Sequence, residues 1–240
     1  MVKKITMNDE RRERVLNAAQ TLFLKYGYDK TTVSDIAEEA GISKGAIYLH
    51  FHSKEAMMDA LIVREGGRVQ SDMLAQMAND PQGATLFNLS RYSLVALANN
   101  ELMRAFYSRR KDVFGDLLKR LAPKIADAEA RSMSVEFVRQ YQTAGLIRPE
   151  LDPAAVAFLF MIMRYGLLMI DDIVPREASP PLAVIGQLIG EVLQLGLAPD
   201  GGGDAEVGRQ LFANLVQAAM DKLTTQQTPP APGHEEGRKS

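Results

Sequence analysis

Thr32-Val33-Ser34-Asp35-Ile36-Ala37-Glu38-Glu39-Ala40-Gly41-Ile42-Ser43-Lys44-Gly45-Ala46-Ile47-Tyr48-Leu49-His50-Phe51 reads as two short helices joined at a glycine. Thr32 offers a side-chain acceptor for the first helix, with Asp35 placing negative charge near its N-terminus. Gly41 ends that helix, and Ser43 caps the next. Ile36, Ala37, Ala40, Ile42, Ile47 and Phe51 are the apolar positions, and Ile47 to Phe51 is one helical turn. Lys44 and Tyr48, also one turn apart, therefore fall on a different face together with Gly45. Two short helices around a three- or four-residue glycine turn form a helix-turn-helix.

The outward face has the chemistry of a nucleic-acid reader. A lysine neutralises phosphate, and a tyrosine hydroxyl hydrogen-bonds to phosphate while its ring packs on sugar. At Gly45 the bare backbone permits close approach to a groove floor, and the start of a recognition helix is the part that reaches base edges. Ser53-Lys54, opening the following helix, would add N–H groups and a positive charge for an anion. The chain as a whole carries a net charge of −2 and is no general polyanion binder, yet Gly41 to Lys54 contains Lys44, His50, His52 and Lys54 and no carboxylate. His50 and His52 are two residues apart and point to different faces of a helix, which argues against a shared metal.

Outward from this stretch the periodicity is helical almost throughout. Val15, Leu16, Ala19, Leu22, Phe23 and Tyr26 form one stripe on a helix from Asp9 to Tyr26, with Gly27 as its C-terminal cap. Downstream breaks fall at Asn79-Asp80-Pro81, Asn99-Asn100, Ala122-Pro123, Arg148-Pro149 and Asp152-Pro153, then at Val174-Pro175 to Pro181 and Pro199 to Gly203. Pro123, Pro153 and Pro181 are expected to open helices. The fold class is therefore all-α, with about ten helices. A DNA-binding unit is expected over residues 1–54, a helical body over 55–224 and a disordered, proline-rich tail over 225–240.

Composition excludes several functions. There is no cysteine in the 240 residues, so disulfides, thiolate zinc sites and cysteine nucleophiles are ruled out. The N-terminal residues lack the apolar core of a signal peptide. Ala154 to Ile170, the most apolar run, is interrupted by Arg164 and falls short of the roughly 20 residues of a membrane span. A cytoplasmic protein without cofactor or metal is expected. An enzyme is disfavoured, because only three histidines exist, one of them His234 in the tail, and no glycine-rich phosphate loop accompanies them.

Thr31 to Glu55 resembles the DNA-binding signature of the tetracycline-repressor (TetR) family. The preceding Ala18-Ala19, Leu22-Phe23 and Tyr26-Gly27 are similar to it as well. The resemblance covers about residues 10–60. It implies that Thr32, Ser43, Lys44, Gly45, Tyr48, His50 and Lys54 lie at double-stranded operator DNA, Lys44 and Gly45 nearest the bases, Tyr48, Lys54 and Thr32 gripping phosphates. Lys3, Lys4, Arg11 and Arg12 would add phosphate contacts from the N-terminal arm.

By the same resemblance the body would dimerise and bind a small-molecule inducer that releases a palindromic operator. An architectural or adaptor DNA binder without a small-molecule response is the alternative. Ala154 to Val174 is apolar nearly all round and Leu182 to Leu197 almost as much, so both must be covered, by a second chain or by a monomer core. Asp204 to Thr224 looks like an addition to the family pattern. Tyr92, Phe106, Phe114, Phe137, Tyr141, Met161 and Tyr165 are the candidate pocket residues, with ordinary core as the competing reading. Arg164 either pairs with Asp171 or Asp172 or faces an anionic ligand. Gly66-Gly67 marks either a bend that moves the reading head, a close packing contact or a helix break.

Overall fold

The structure, a computed structural model, describes residues 7–78, 80, 85–120, 135–170, 173–174 and 178–227. Among the described residues eleven α-helices have both ends placed, residues 117–120 are helical as well, and there is no strand. They are α1 (Met7–Tyr26), α2 (Val33–Glu39), α3 (Lys44–Tyr48), α4 (Lys54–Ala78), α5 (Leu86–Asn99) and α6 (Glu101–Tyr107). The remainder are α7 (Lys111–Phe114), α8 (Val135–Thr143), α9 (Pro153–Met169), α10 (Leu182–Leu197) and α11 (Ala205–Gln227).

Helix α1 carries Asp9 and Glu10 in its first turn and Lys25 in its last, complementing the helix dipole. Its inner stripe, Val15, Leu16, Ala18, Ala19, Leu22 and Phe23, is buried. The helix stops where Gly27 takes φ +87°, a conformation that costs glycine little. A Cβ there would also lie 2.4 Å from the carbonyl oxygen of Asp112, so the chain has no room for any other residue. The next amide, Tyr28 N–H, donates to Val113 O at 2.7 Å, and Asp29 Oδ2 accepts from Asp116 N at 3.1 Å. The turn after α1 is thereby seated on α7.

Two apolar clusters result. The first joins Val15, Phe23, Ile36, Ile47 and Phe51 to Met57 and Leu61 of α4, and continues into Leu102, Phe106, Val113, Phe114 and Leu117. The expected boundary at residue 54 falls at the first residue of α4, and one core runs across it. The second cluster gathers Met73 and Met77 of α4 with Tyr92, Val138, Tyr141, Phe160, Leu193 and Phe212. Helix α4 contributes to both. In the body α5 packs along α10, where Gly186 lets the helices approach: a Cβ there would already touch Leu94 Cδ1 at 3.7 Å.

Pro153 stands in the first turn of α9, with Asp152 as its side-chain cap, and Pro181 is the N-cap of α10. Pro123 lies outside the described residues, as do Lys3, Lys4, Asp171, Asp172 and His234. Helix α4 runs unbroken through Gly66 and buried Gly67, which removes the reading of that pair as a helix break. Asp204 to Thr224 is placed: α11 packs on α4, buries Phe212 and begins at an Asp204 carboxylate that accepts from Glu206 N at 2.8 Å. Of the tail expected over 225–240, residues 225–227 instead complete α11, and 228–240 lie outside the described residues. Among the described residues no helix is long and apolar enough to cross a membrane.

Candidate nucleic-acid interface

Both short helices are fixed at their starts by side chains. Thr32 Oγ1 accepts from Asp35 N at 3.2 Å, and Thr32 N donates back to Asp35 Oδ2 at 2.8 Å, a reciprocal capping box. The Thr32 backbone N–H, then its hydroxyl, holds the Asp35 carboxyl below its ordinary pKa. The turn closes through Gly41 N to Glu38 O at 3.0 Å and Ile42 N to Ala37 O at 3.0 Å, with Gly41 at φ +63°. Ser43 Oγ then accepts from Ala46 N at 3.2 Å and starts α3. Ile47, fully buried, and Phe51 pin α3 against Ile36 and Ala37.

That anchoring decides which way α3 faces. Ser43, Lys44, Gly45 and Tyr48 are exposed, as is Thr32 at the start of α2, and His50 is half-buried. Helices α2 and α3, which carry or flank these residues, pack on each other. Beside Tyr48, Leu49 is 86% exposed, a feature the apolar periodicity did not single out.

Lys54 is placed differently from its expected role on phosphate. Its Nζ donates to Tyr28 O at 2.6 Å and to Thr31 O at 2.8 Å, and stands 4.2 Å from the centre of the Tyr28 ring. Burial lowers its pKa. The ammonium ties the α1–α2 loop to the start of α4, while Ser53 Oγ accepts from Ala56 N at 3.0 Å and caps that helix. A lysine beside a glycine turn whose carbonyls face inward satisfies them first, which spacing alone does not reveal. Arg12 likewise lies over the Phe51 ring, 5.2 Å from its centre, whereas Arg11 is exposed.

A polar hub also escaped the sequence reading. Glu65, 2% exposed, accepts from Arg64 Nε at 2.9 Å, Arg68 Nη1 at 2.8 Å and Asn100 Nδ2 at 2.8 Å. Arg64 extends to α1, donating to Glu13 Oε2 at 2.9 Å, Asn17 Oδ1 at 2.8 Å and Gln20 Oε1 at 2.6 Å.

The seven candidate pocket residues do not share one lining. Phe106 and Phe114, ring centres 5.8 Å apart, belong to the first cluster, because the α6–α7 turn folds back under α1. Tyr92 and Tyr141 lie in the second cluster, where Phe137 stacks on Tyr141 at 4.4 Å. Met161 and Tyr165 are half-buried on α9. The Tyr141 hydroxyl is buried and has no hydrogen-bond partner among the described residues, and burial raises its pKa. Arg164 lies 4.7 Å from the centre of the Tyr107 ring on α6. Two shallow pockets of about 220 Å³ each open on the N-terminal unit, one lined by Leu22, Tyr26, Lys30, Thr31 and Asp35, the other by Arg14, Asn17, Ala18, Thr21, Glu39 and Ala40. Neither meets the seven.

Residues 15–61 match the family model of bacterial regulatory proteins, tetR family. The HTH-type transcriptional regulator YfiR of Bacillus subtilis is 31% identical over 188 residues, spanning 70% of this chain and 84% of that protein. The HTH-type transcriptional repressor KstR2 of Mycobacterium tuberculosis is 32% identical over 151 residues, 60% of this chain and 72% of that one. In fold the chain is similar to the transcriptional regulator FadR from Bacillus subtilis, solved in complex with stearoyl-CoA, with a TM-score of 0.57 at 18% identity over 75% of this chain and 96% of that one.

Proposed function

Because the chain belongs to the TetR family of bacterial transcriptional regulators, we propose that it is a repressor that binds a palindromic operator as a homodimer and is released by a small-molecule inducer. The observation that carries this reading is the exposed Lys44–Gly45–Tyr48 side of α3, held outward by buried Ile47 inside a stretch without carboxylates. Lys44 and Gly45 approach base edges from the start of the recognition helix, and Tyr48, Thr32, Ser43 and His50 contact the backbone around them. Lys54 serves the same surface indirectly, as a positioning residue that holds the α1–α2 loop.

Two features of the body support the rest. Phe158 and Ile162 on α9 and Val184, Leu188 and Val192 on α10 are exposed, an apolar surface that a second chain would cover. The Tyr141 hydroxyl, buried among apolar side chains, supports an effector that is mostly apolar and carries one hydrogen-bonding group. FadR, similar in fold, was solved in complex with stearoyl-CoA, which joins a long apolar acyl chain to a polar nucleotide part, and KstR2 is named a repressor.

The test is selection of bound fragments from genomic DNA, followed by binding of the selected site. Wild type should recover a palindrome, and Lys44→Ala and Tyr48→Phe should weaken binding while the fold stays intact. No preference over random DNA at ~150 mM salt, where non-specific binding is weak, would end the reading. A screen for thermal stabilisation by apolar acids, thioesters and sterols tests the inducer. A hit that stabilises wild type and dissociates the operator supports release; a hit that leaves the operator bound argues against it.

A further inference from the structure

Leu49 is the most exposed large apolar side chain of the N-terminal unit, and it has the position of a sequence reader. The other exposed large apolar residues before residue 100 are Met7, Tyr26 and Tyr48 among the described residues. A single exposed leucine needs no explanation in general. This one is held out by its neighbours: Ile47 and Phe51 are buried, and His50 N and Phe51 N both donate to Ile47 O at 2.9 Å, which fixes the end of α3. Leu49 keeps helical backbone angles (φ −70°, ψ −21°), so it stands one turn beyond Gly45 and on the side of Gly45, further round the helix from Lys44 and Tyr48.

The dimensions fit one groove. From Lys44 to Leu49 the chain advances about 8 Å at 1.5 Å per residue, against a major groove about 12 Å wide. Gly45, lacking a side chain, lets this face sink, and a residue one turn on then reaches the floor. The one apolar feature that floor presents is the 5-methyl group of thymine.

We infer that Leu49 reads a thymine methyl in each operator half-site, and so sets sequence preference where Lys44 and Tyr48 mainly supply grip. This rests on the operator-binding reading above. The test compares fragments selected by wild type and by Leu49→Ala, then measures binding to the wild-type site with single thymines replaced by deoxyuridine. Wild type should lose about fourfold in affinity at one thymine per half-site, the worth of one buried methyl group. Leu49→Ala should bind thymine and deoxyuridine forms equally, and its selected sequences should lose preference for thymine there. Because the side chain is solvated, its thermal midpoint should match wild type.

No deoxyuridine-sensitive position in wild type, or an unchanged penalty in Leu49→Ala, overturns the assignment. So does an equal loss on operator and random DNA, which would report a sugar contact. Should wild type select no sequence at all, the operator reading fails and Leu49 with it, a result distinct from a selected site that ignores the methyl group.

Discussion

Asn100 Nδ2 donates to Glu65 Oε2 across 2.8 Å, joining the start of α6 to the middle of α4. The same side chain caps α6, since Asn100 Oδ1 accepts from Met103 N at 3.0 Å. One amide thus fixes both the register of α6 and the third ligand of a buried carboxylate. Through Arg64 the hub reaches α1, so the reading head, α4 and α6 are held by one polar network. Removing one partner of a buried ion pair leaves an uncompensated charge, and Glu65→Ala should cost about 3–5 kcal/mol. Asn100→Ala should cost less, on the order of 2 kcal/mol, from a lost cap and a lost bond to a charged group. Urea unfolding checks both; a Glu65→Ala protein within 1 kcal/mol of wild type, the size of an ordinary neutral hydrogen bond, would show that the network contributes little.

Two lysines of the N-terminal unit should separate by salt dependence. With one phosphate neutralised by Lys44 in each half-site, Lys44→Ala should reduce the slope of log affinity against log salt by about 2. Lys54→Ala should leave that slope unchanged and instead lower stability by about 1–3 kcal/mol, because Tyr28 O and Thr31 O lose their donor. A reduced slope for Lys54→Ala would return it to the phosphate contacts.

The capping box gives a pH signature. The Asp35 carboxyl titrates below its ordinary value of 3.8, chiefly through the Thr32 backbone N–H. A depressed acid contributes stability that is fully present above that ordinary value and is lost as pH falls through the lower native one. Acid unfolding of Asp35→Asn should therefore show a shallower fall below pH 3.8 than wild type. Thr32→Ala, which removes the cap itself, should cost about 1 kcal/mol at neutral pH. Identical acid profiles would show that the box does not form in solution.

The N-terminal unit was legible in the sequence because its signals are local. Thr32, Ser43, Gly41 and the Ile47–Phe51 spacing each act within one or two turns, and the structure places each as a cap, a turn or an anchor. The hydrogen bonds of Lys54 were not legible, because its partners, Tyr28 O and Thr31 O, lie more than 20 positions away and are backbone atoms that no residue pattern announces. The division of the candidate pocket residues between two clusters was hidden for a related reason. Phe106 and Tyr141 look alike in an apolar stripe, and only the fold-back of α6 and α7 assigns them to different clusters. Glu65, a lone acid in the sequence, owes its role to Asn100 35 positions later.

Gly66 offers a direct check on the bend reading. A Cβ there would meet Met103 Cε at 3.9 Å, ordinary contact, and the helix is continuous around it. Gly66→Ala should therefore stabilise by up to about 1 kcal/mol, raising the thermal midpoint by roughly 2–4 °C. If the position also acts as a hinge, operator affinity or induction should shift in the same variant. A higher midpoint with both unchanged would leave Gly66 without a mechanical role.

The apolar surface of the last body helices yields the strictest test of assembly. Val184, Leu188, Val192 and Leu195 recur at steps of four, four and three on α10, all exposed, and Phe158 and Ile162 stand one turn apart on α9. Left in water, such a stripe favours association, and a helix pair from each of two chains would bury it. Leu188→Glu places a charge at its middle without touching either buried cluster. Light scattering should then report a monomer where wild type is a dimer, with the helical circular dichroism retained. Operator binding should collapse in parallel, since one reading head reaches only one half-site. A Leu188→Glu protein that stays dimeric would move the interface to another face, and a monomer that binds the palindrome as tightly as wild type would detach recognition from pairing.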